Sequence, residues 1–157
     1  MFLKIKIICL GKLKEKAFSE LEEEYLKRLS SFAKITLIEL PEIPYRNESM
    51  LEKVKVAEAE IIRKNLPKNS IVILVQEKGI LRNSLDFASF IERIGNIGTE
   101  IVFVVGSGAG LDDSLKLDSN YQISLSSLTF THNFARVLLE EQLYRACTII
   151  NGKTYHK

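Results

Sequence analysis

Residues 100–110 read Glu-Ile-Val-Phe-Val-Val-Gly-Ser-Gly-Ala-Gly, and the reading of this stretch decides the fold. Ile101 to Val105 run without a polar interruption, as in a strand covered on both faces. A glycine loop, Gly106-Ser107-Gly108-Ala109-Gly110, follows at once. Working outward, Ser70–Gln76 (Ser-Ile-Val-Ile-Leu-Val-Gln) is a second run of the same kind. Leu3–Leu10 alternates well enough for a strand, and Lys34–Leu40 is β-rich and closed by Pro41 and Pro44. Tyr121–Leu125 makes a fifth strand. Lys14–Ser30 carries Ala17, Phe18, Leu21, Tyr25 and Leu29 at helical spacing. Glu48–Leu66 carries Val54, Ala57, Ile61 and Ile62 on one face and stops at Pro67. Leu85–Ile94 and about Phe134 to Ile150 are further helices, and Asp112–Leu117 is a short helical piece. Strands alternating with helices predict an α/β fold, a mostly parallel sheet with helices on both faces. No repeat or interdomain linker interrupts it, so residues 1–157 are expected to form a single domain. Pro41–Ser49 is the one long connection, expected to be mobile or to face a partner.

Composition narrows the class. Hydrophobic residues are 46% and charged residues 27% of 157, ordinary for a soluble globular chain. No apolar run is long enough to span a bilayer. Lys4 and Lys6 break the apolar start, which reads as a strand and not as a signal peptide. Cys9 and Cys147 lie in apolar stretches without metal-ligand spacing, which predicts buried, reduced thiols, no metal and a cytoplasmic location. The net charge of +2 neither demands nor excludes a nucleic-acid partner. Local clusters matter more: Lys12, Lys14, Lys16, Lys27 and Arg28 near the start, and Arg136, Arg145, Lys153 and Lys157 near the end.

The glycine loop matches the G-x-G-x-G pattern of Rossmann-type sites, where glycine lets backbone approach a ligand. In a Rossmann domain, however, the loop follows the first strand. Here it follows the fourth, with too little chain left for the missing units. A different α/β enzyme with late ligand loops fits better, and a plain tight turn is the bland alternative.

The stretch Tyr121–Lys157 concentrates polar chemistry. Ser124, Ser126, Ser127 and Thr129 alternate with Leu125, Leu128 and Phe130, a pattern that can wrap an adenine ring. It also suits a strand end plus a helix cap, for which His132 or Asn133 is placed. In the last helix Val137, Leu138, Leu143 and Ala146 suit burial. Arg136, Glu140, Glu141, Tyr144 and Arg145 form the polar set, with Glu141 and Arg145 paired at i,i+4. Tyr155-His156-Lys157 closes the sequence, where chains commonly fray.

Together these residues resemble the small bacterial 23S rRNA pseudouridine-N3 methyltransferases of the SPOUT superfamily. The similarity spans essentially the whole chain. It rests on Gly11-Lys12-Leu13-Lys14, Gly106…Gly110-Leu111, Leu128-Thr129-Phe130-Thr131-His132, Arg136-Val-Leu-Leu-Glu-Glu-Gln-Leu-Tyr-Arg-Ala146 and Tyr155-His156-Lys157. Ser107 departs from the family's Gly-Gly-x-x-Gly-Leu loop, which leaves the loop's path open. Thr131 stands where the family usually has a rigidifying proline. The resemblance implies a C-terminal trefoil knot and a homodimer whose site draws on both subunits. It implies S-adenosyl-L-methionine as cofactor, held by Leu74, Gly106 and the run Leu125, Ser126, Ser127, Leu128, Thr129 and Phe130. The implied substrate is a pseudouridine of 23S rRNA in the assembled ribosome. Arg145 is the natural cation for the base, with Glu141 orienting it or accepting a proton, and His156 and Tyr155 contributing from the tail. Arg145 and His156 are the stronger candidates of the four. The competing expectations are a nucleotide-binding flavodoxin-like domain using only Gly106–Gly110, and a non-catalytic RNA-binding protein.

Overall fold

The apolar runs pair into one sheet. The computed structural model, which describes residues 1–157, arranges β1 (Leu3–Leu10), α1 (Lys16–Leu29), β2 (Ala33–Leu40), α2 (Leu51–Asn65), β3 (Ser70–Leu81), α3 (Ser84–Gly95), β4 (Glu100–Val105), β5 (Tyr121–Ser124) and α4 (His132–Ile150) in that order. The sheet order is β2-β1-β4-β3-β5, and every neighbouring pair is parallel.

Strand alternation divides the core into two layers. Ile5, Ile7, Ile73, Ile101 and Phe103 face one side, where they meet Leu29 of α1, Phe90 and Ile94 of α3, and Leu139 and Leu143 of α4. Ile8, Leu10, Val72, Leu74, Val102 and Val104 face the other, under Ala59 and Ile62 of α2. Leu115, from a 3-10 turn at Asp113–Asp118, completes that second layer. Helices therefore cover both faces, as expected. Cys9 and Cys147 are both buried and unpaired. No helix is long and apolar enough to cross a membrane.

Several expectations need correction. β3 runs on to Leu81, past Gln76, because the chain bulges and then rejoins β5 at Ile80 and Leu81. Gly79 makes this possible: a Cβ there would sit 2.3 Å from the carbonyl carbon of Ile123. The cap of α4 is Thr131, whose Oγ1 accepts from Phe134 N at 3.4 Å, and not His132 or Asn133. β5 ends at Ser124, so Leu125 belongs to the loop that follows. On α2 the buried face is Val54, Glu58, Ala59 and Ile62, with Ala57 exposed. On α4, Leu139 is fully buried and Leu138 only partly. Arg136 and Glu140, counted with the polar set of the last helix, are 3% and 0% exposed.

Candidate active site

At the C-terminal edge of the sheet the bulge of β3 (Val75–Lys78) and the loops after β4 and β5 line an open cavity of about 720 Å³. That is the size of a small-molecule site, at the edge where open parallel sheets bind ligands. The glycine loop forms one wall. A Cβ on Gly106 would lie 3.1 Å from both Gly110 C and Leu111 Cδ2, so any side chain there would crowd the loop where it folds back on itself. Gly110 takes φ +83°, and its N–H donates to Ser107 O at 3.0 Å. Gly108 presents bare backbone, since a Cβ there would meet nothing nearer than 3.7 Å. The atoms at that distance are His132 Nδ1 and Tyr45 Oη. The loop's path, left open by Ser107, is set by that serine's hydroxyl. It donates to Glu58 Oε2 at 2.7 Å and accepts from Ala109 N at 3.2 Å.

The second wall is the serine-rich loop. Its hydroxyls hold its own backbone: Ser124 Oγ donates to Ser126 O at 2.8 Å, and Ser126 Oγ accepts from Leu128 N at 3.0 Å. Of the eight positions expected around a cofactor, Gly106, Leu125, Ser126, Leu128, Thr129 and Phe130 line the cavity. Ser127 and Leu74 do not. Leu74 faces the α2 layer of the core, and the next residue, Val75, reaches the cavity instead. Lys55, Glu77, Lys78 and His132 also line it. Nothing in the local pattern of α2 or β3 singles out Lys55, Glu77 or Lys78, because they come from segments far apart in the chain.

The other four candidates meet elsewhere. Arg145 Nη2 donates to Glu141 Oε1 at 2.5 Å, and Tyr155 Oη donates to the same oxygen at 3.0 Å. Gln142 Nε2 donates to Glu141 Oε2 at 2.6 Å. The Arg145 guanidinium lies 4.7 Å from the Tyr155 ring centroid, and Tyr155 packs edge-on against Tyr144 at 4.7 Å. Arg145 Nη1 is 3.4 Å from His156 Nδ1. A guanidinium only donates, so Nδ1 is the acceptor and a neutral ring carries its proton on Nε2. The tail is thus folded back onto α4 and not frayed. Tyr25 and Arg28 of α1 border the cluster, Arg28 lying 5.7 Å from the rings of both Tyr25 and Tyr144; neither was expected there.

Electrostatics assign states to these groups. The hydrogen bond to Glu141 raises the pKa of Arg145 against the opposing effect of burial, which keeps it cationic. Burial, then hydrogen bonds with Tyr25 and Glu141, push the Tyr155 phenol well above its ordinary range. At neutral pH it is a proton donor in a hydrogen bond and not a base. The charge clusters are altered too: Arg136 is buried in ion pairs and Arg28 pairs with Glu24 at 2.6 Å.

Within one chain the two halves do not meet. Arg145 lies thirteen residues along α4 from His132, about 20 Å at the helical rise. None of Glu141, Arg145, Tyr155 and His156 lines the cavity.

A family model described as "Predicted SPOUT methyltransferase" matches residues 3–156. Similar curated proteins are each named ribosomal RNA large subunit methyltransferase H. That of Caldicellulosiruptor saccharolyticus is 45% identical over 156 residues, covering 98% of this chain and 99% of the relative. That of Malacoplasma penetrans is 38% identical over 157 residues, covering 99% and 100%. That of Lactobacillus acidophilus is 41% identical over 157 residues, covering 98% and 99%.

Proposed function

The chain belongs to the SPOUT methyltransferase family, and on that premise we propose that it methylates N3 of a pseudouridine in the 23S rRNA of the assembled ribosome, with S-adenosyl-L-methionine as donor. The full-length kinship with ribosomal RNA methyltransferases supports the substrate class. The trefoil knot of the family suits the chain's path: it crosses the α2 face at Leu115, enters the sheet as β5 outside β3, and returns as α4 on the opposite face. The donor is assigned to the cavity, where bare backbone at Gly108 and the apolar edges of Leu125, Leu128 and Phe130 suit a nucleoside with a charged amino-acid arm. When bound it supplies a methyl group on a sulfonium for in-line displacement.

The protein's own task is to align the base and favour loss of its N3 proton. Arg145 is the cation for a carbonyl oxygen beside N3, where negative charge develops. Glu141 orients it, holding Arg145 while accepting from Tyr155 and Gln142, and the N3 proton passes to solvent water as the anion forms beside Arg145. His156, with Nδ1 toward Arg145, offers Nε2–H to the second oxygen of the base. Tyr155 fixes the plane of the guanidinium by stacking. Recognition of the RNA rests on shape and phosphate contacts, since a chain of net charge +2 offers little for reading sequence.

One observation carries the arrangement: the cavity and the Arg145 cluster lie at opposite ends of α4. Methyl transfer needs donor and acceptor in contact, so the cavity of one protomer is completed by the tail cluster of another, in a homodimer. Co-expression of Gly106→Val with Arg145→Ala tests this. Each variant alone is expected to be inactive, while mixed dimers regain one intact composite site. Random pairing then gives roughly a quarter of the wild-type rate. No recovery in mixed dimers, or an active monomer by light scattering, sinks the shared site. Gly106→Val also tests the donor assignment. Its Cβ would already press on Gly110 and Leu111 at 3.1 Å, so the larger side chain should shift the loop, and donor affinity measured by calorimetry is expected to fall about a hundredfold. Unchanged affinity removes this loop from the donor site.

A further inference from the structure

Glu58 lies in the middle of α2 and is 2% exposed. Burying a carboxyl group is costly unless both oxygens are satisfied, and an apolar residue there would cost less. Both oxygens are used, and both point away from α2. Oε1 accepts from Ile43 N at 3.0 Å, in the connection after β2. Oε2 accepts from Ser107 Oγ at 2.7 Å, in the glycine loop. Ser107 is itself 5% exposed, and its oxygen accepts from Ala109 N at 3.2 Å. Two residues beyond Ile43, Tyr45 Oη reaches the space above Gly108, where His132 of the cavity wall also arrives. One side chain therefore joins two segments, Ser107 being 49 residues from Glu58 and Ile43 being 15, that come together beside Gly108.

We propose that Glu58 is a positioning residue that ties the Pro41–Asn47 arm to the glycine loop, so that Tyr45 and Gly108 flank the donor as one body. Donor occupancy and order in the arm are coupled through Ser107 Oγ and Ile43 N. This rests on the donor occupying the cavity. The arm is part of the Pro41–Ser49 connection, expected from sequence to be mobile or to face a partner, and its order beside Gly108 then depends on the ligand. Coupling of this kind has an observable, because local opening of the arm exposes it to proteolysis. Arg46, one residue past Tyr45, is exposed and gives trypsin a cleavage point.

The test uses the full-length protein with Glu58→Ala, Glu58→Gln, Ser107→Ala and the Glu58→Ala/Ser107→Ala double variant. Donor affinity is measured by calorimetry with S-adenosyl-L-methionine. Cleavage after Arg46 is timed with and without saturating donor, and KM for donor is separated from KM for ribosomes. In the wild type the donor is expected to slow cleavage. Glu58→Ala and Ser107→Ala are each expected to weaken donor binding roughly tenfold, as for loss of a buried bond to a carboxylate, and to abolish the protection. KM for donor rises and KM for ribosomes stays. The double variant should be no worse than the more severe single one, because both cut the same link. Glu58→Gln should keep most of the affinity, since its amide oxygen still accepts from Ile43 N and its NH2 can donate to Ser107 Oγ. A purely structural Glu58 would lower thermal stability while leaving donor affinity and protection intact, and that result overturns the proposal alone. Additive effects in the double variant overturn it as well. A wild type that binds no donor overturns the donor assignment and the proposal with it.

Discussion

Deleting Tyr155, His156 and Lys157 is expected to lower methyl transfer to ribosomes about a hundredfold, a loss typical of removing acid–base or positioning help. Donor affinity should not change. Arg145 has three fixing partners: the Glu141 carboxylate, the Tyr155 ring and His156 Nδ1. The deletion leaves only the first. It also frees Glu141 from the Tyr155 hydroxyl, so the clamp itself loosens. The cavity lies about 20 Å away along α4 in the same chain, and its walls at Gly106 and Leu125–Phe130 contain no tail residue. The tail is docked, edge-on to Tyr144 and under a guanidinium, so its loss should also cost about 1 kcal/mol of stability, more than for a frayed end. His156→Ala should reproduce part of the rate loss. Tyr155→Phe keeps the ring over Arg145 but drops the hydroxyl, and should lose less than the deletion. Single-turnover transfer from labelled donor to intact ribosomes is the measurement. A truncated protein working at the full rate makes the tail a bystander and leaves Arg145 and Glu141 as the remaining candidates.

The layered sheet was legible because it rests on local pattern. Ile101–Val105 and Ile71–Val75 are apolar on both faces, and only a parallel sheet covered on both sides needs that. The far limit of β3 was not, because it is set by distant backbone. β3 continues through Glu77-Lys78-Gly79 only because Ile123 of β5 comes within reach after a bulge. Membership of the polar set did not reveal the burial of Arg136 and Glu140, for the same reason. It reports what a residue type prefers, while the partners that permit burial of Arg136 lie 114 and 97 residues away. Around the cavity, the resemblance pointed to the loops Gly106–Gly110 and Leu125–Phe130, while the tail it also named packs on the far part of α4. It did not bring in Lys55, which lines the cavity, Tyr45, which lies beside Gly108, or Glu58, which holds Ser107; they come from segments whose local pattern is an ordinary loop and an ordinary amphipathic helix. The spacing of Glu141 and Arg145 revealed their pairing, but not that Tyr155 and His156 close over it.

Two substitutions one helical turn apart on α4 are expected to change stability in opposite directions. Arg136 donates to both oxygens of Glu22, at 2.6 and 2.8 Å, to Glu39 at 2.9 Å and to Gly11 O at 3.5 Å. Burial opposes its charge, but the bonds to Glu22 and Glu39 outweigh that and hold it cationic. Arg136→Met removes the cation and leaves two carboxylates facing a buried third, at a cost of about 3 kcal/mol, the lower end for a broken buried pair because Glu39 keeps some solvent. Glu140 is the third carboxyl group. Neither of its oxygens has a partner in hydrogen-bond geometry. Burial first, then the adjoining Glu22, raise its pKa from about 4.5 to about 9. The native state therefore holds a proton that the unfolded chain has released, and stability falls as pH rises from 4.5 to 9. The slope is at most about 1.4 kcal/mol per pH unit. Glutamine matches the protonated carboxyl group in shape without that linkage. Glu140→Gln should therefore leave stability near its wild-type value below pH 4.5 and exceed it increasingly up to pH 9. Urea midpoints for the wild type and both variants, taken at several pH values, decide the matter. Equal destabilisation of Glu140→Gln at every pH would mean that Glu140 is ionised and held by Arg136. The cluster joins α4 to Glu22 of α1, Glu39 of β2 and Gly11 just after β1, midway between His132 and Arg145, so under the proposed shared site it also sets how the helix presents its two ends. Arg136→Met should consequently lower turnover in the native fraction as well, whereas Glu140→Gln should not.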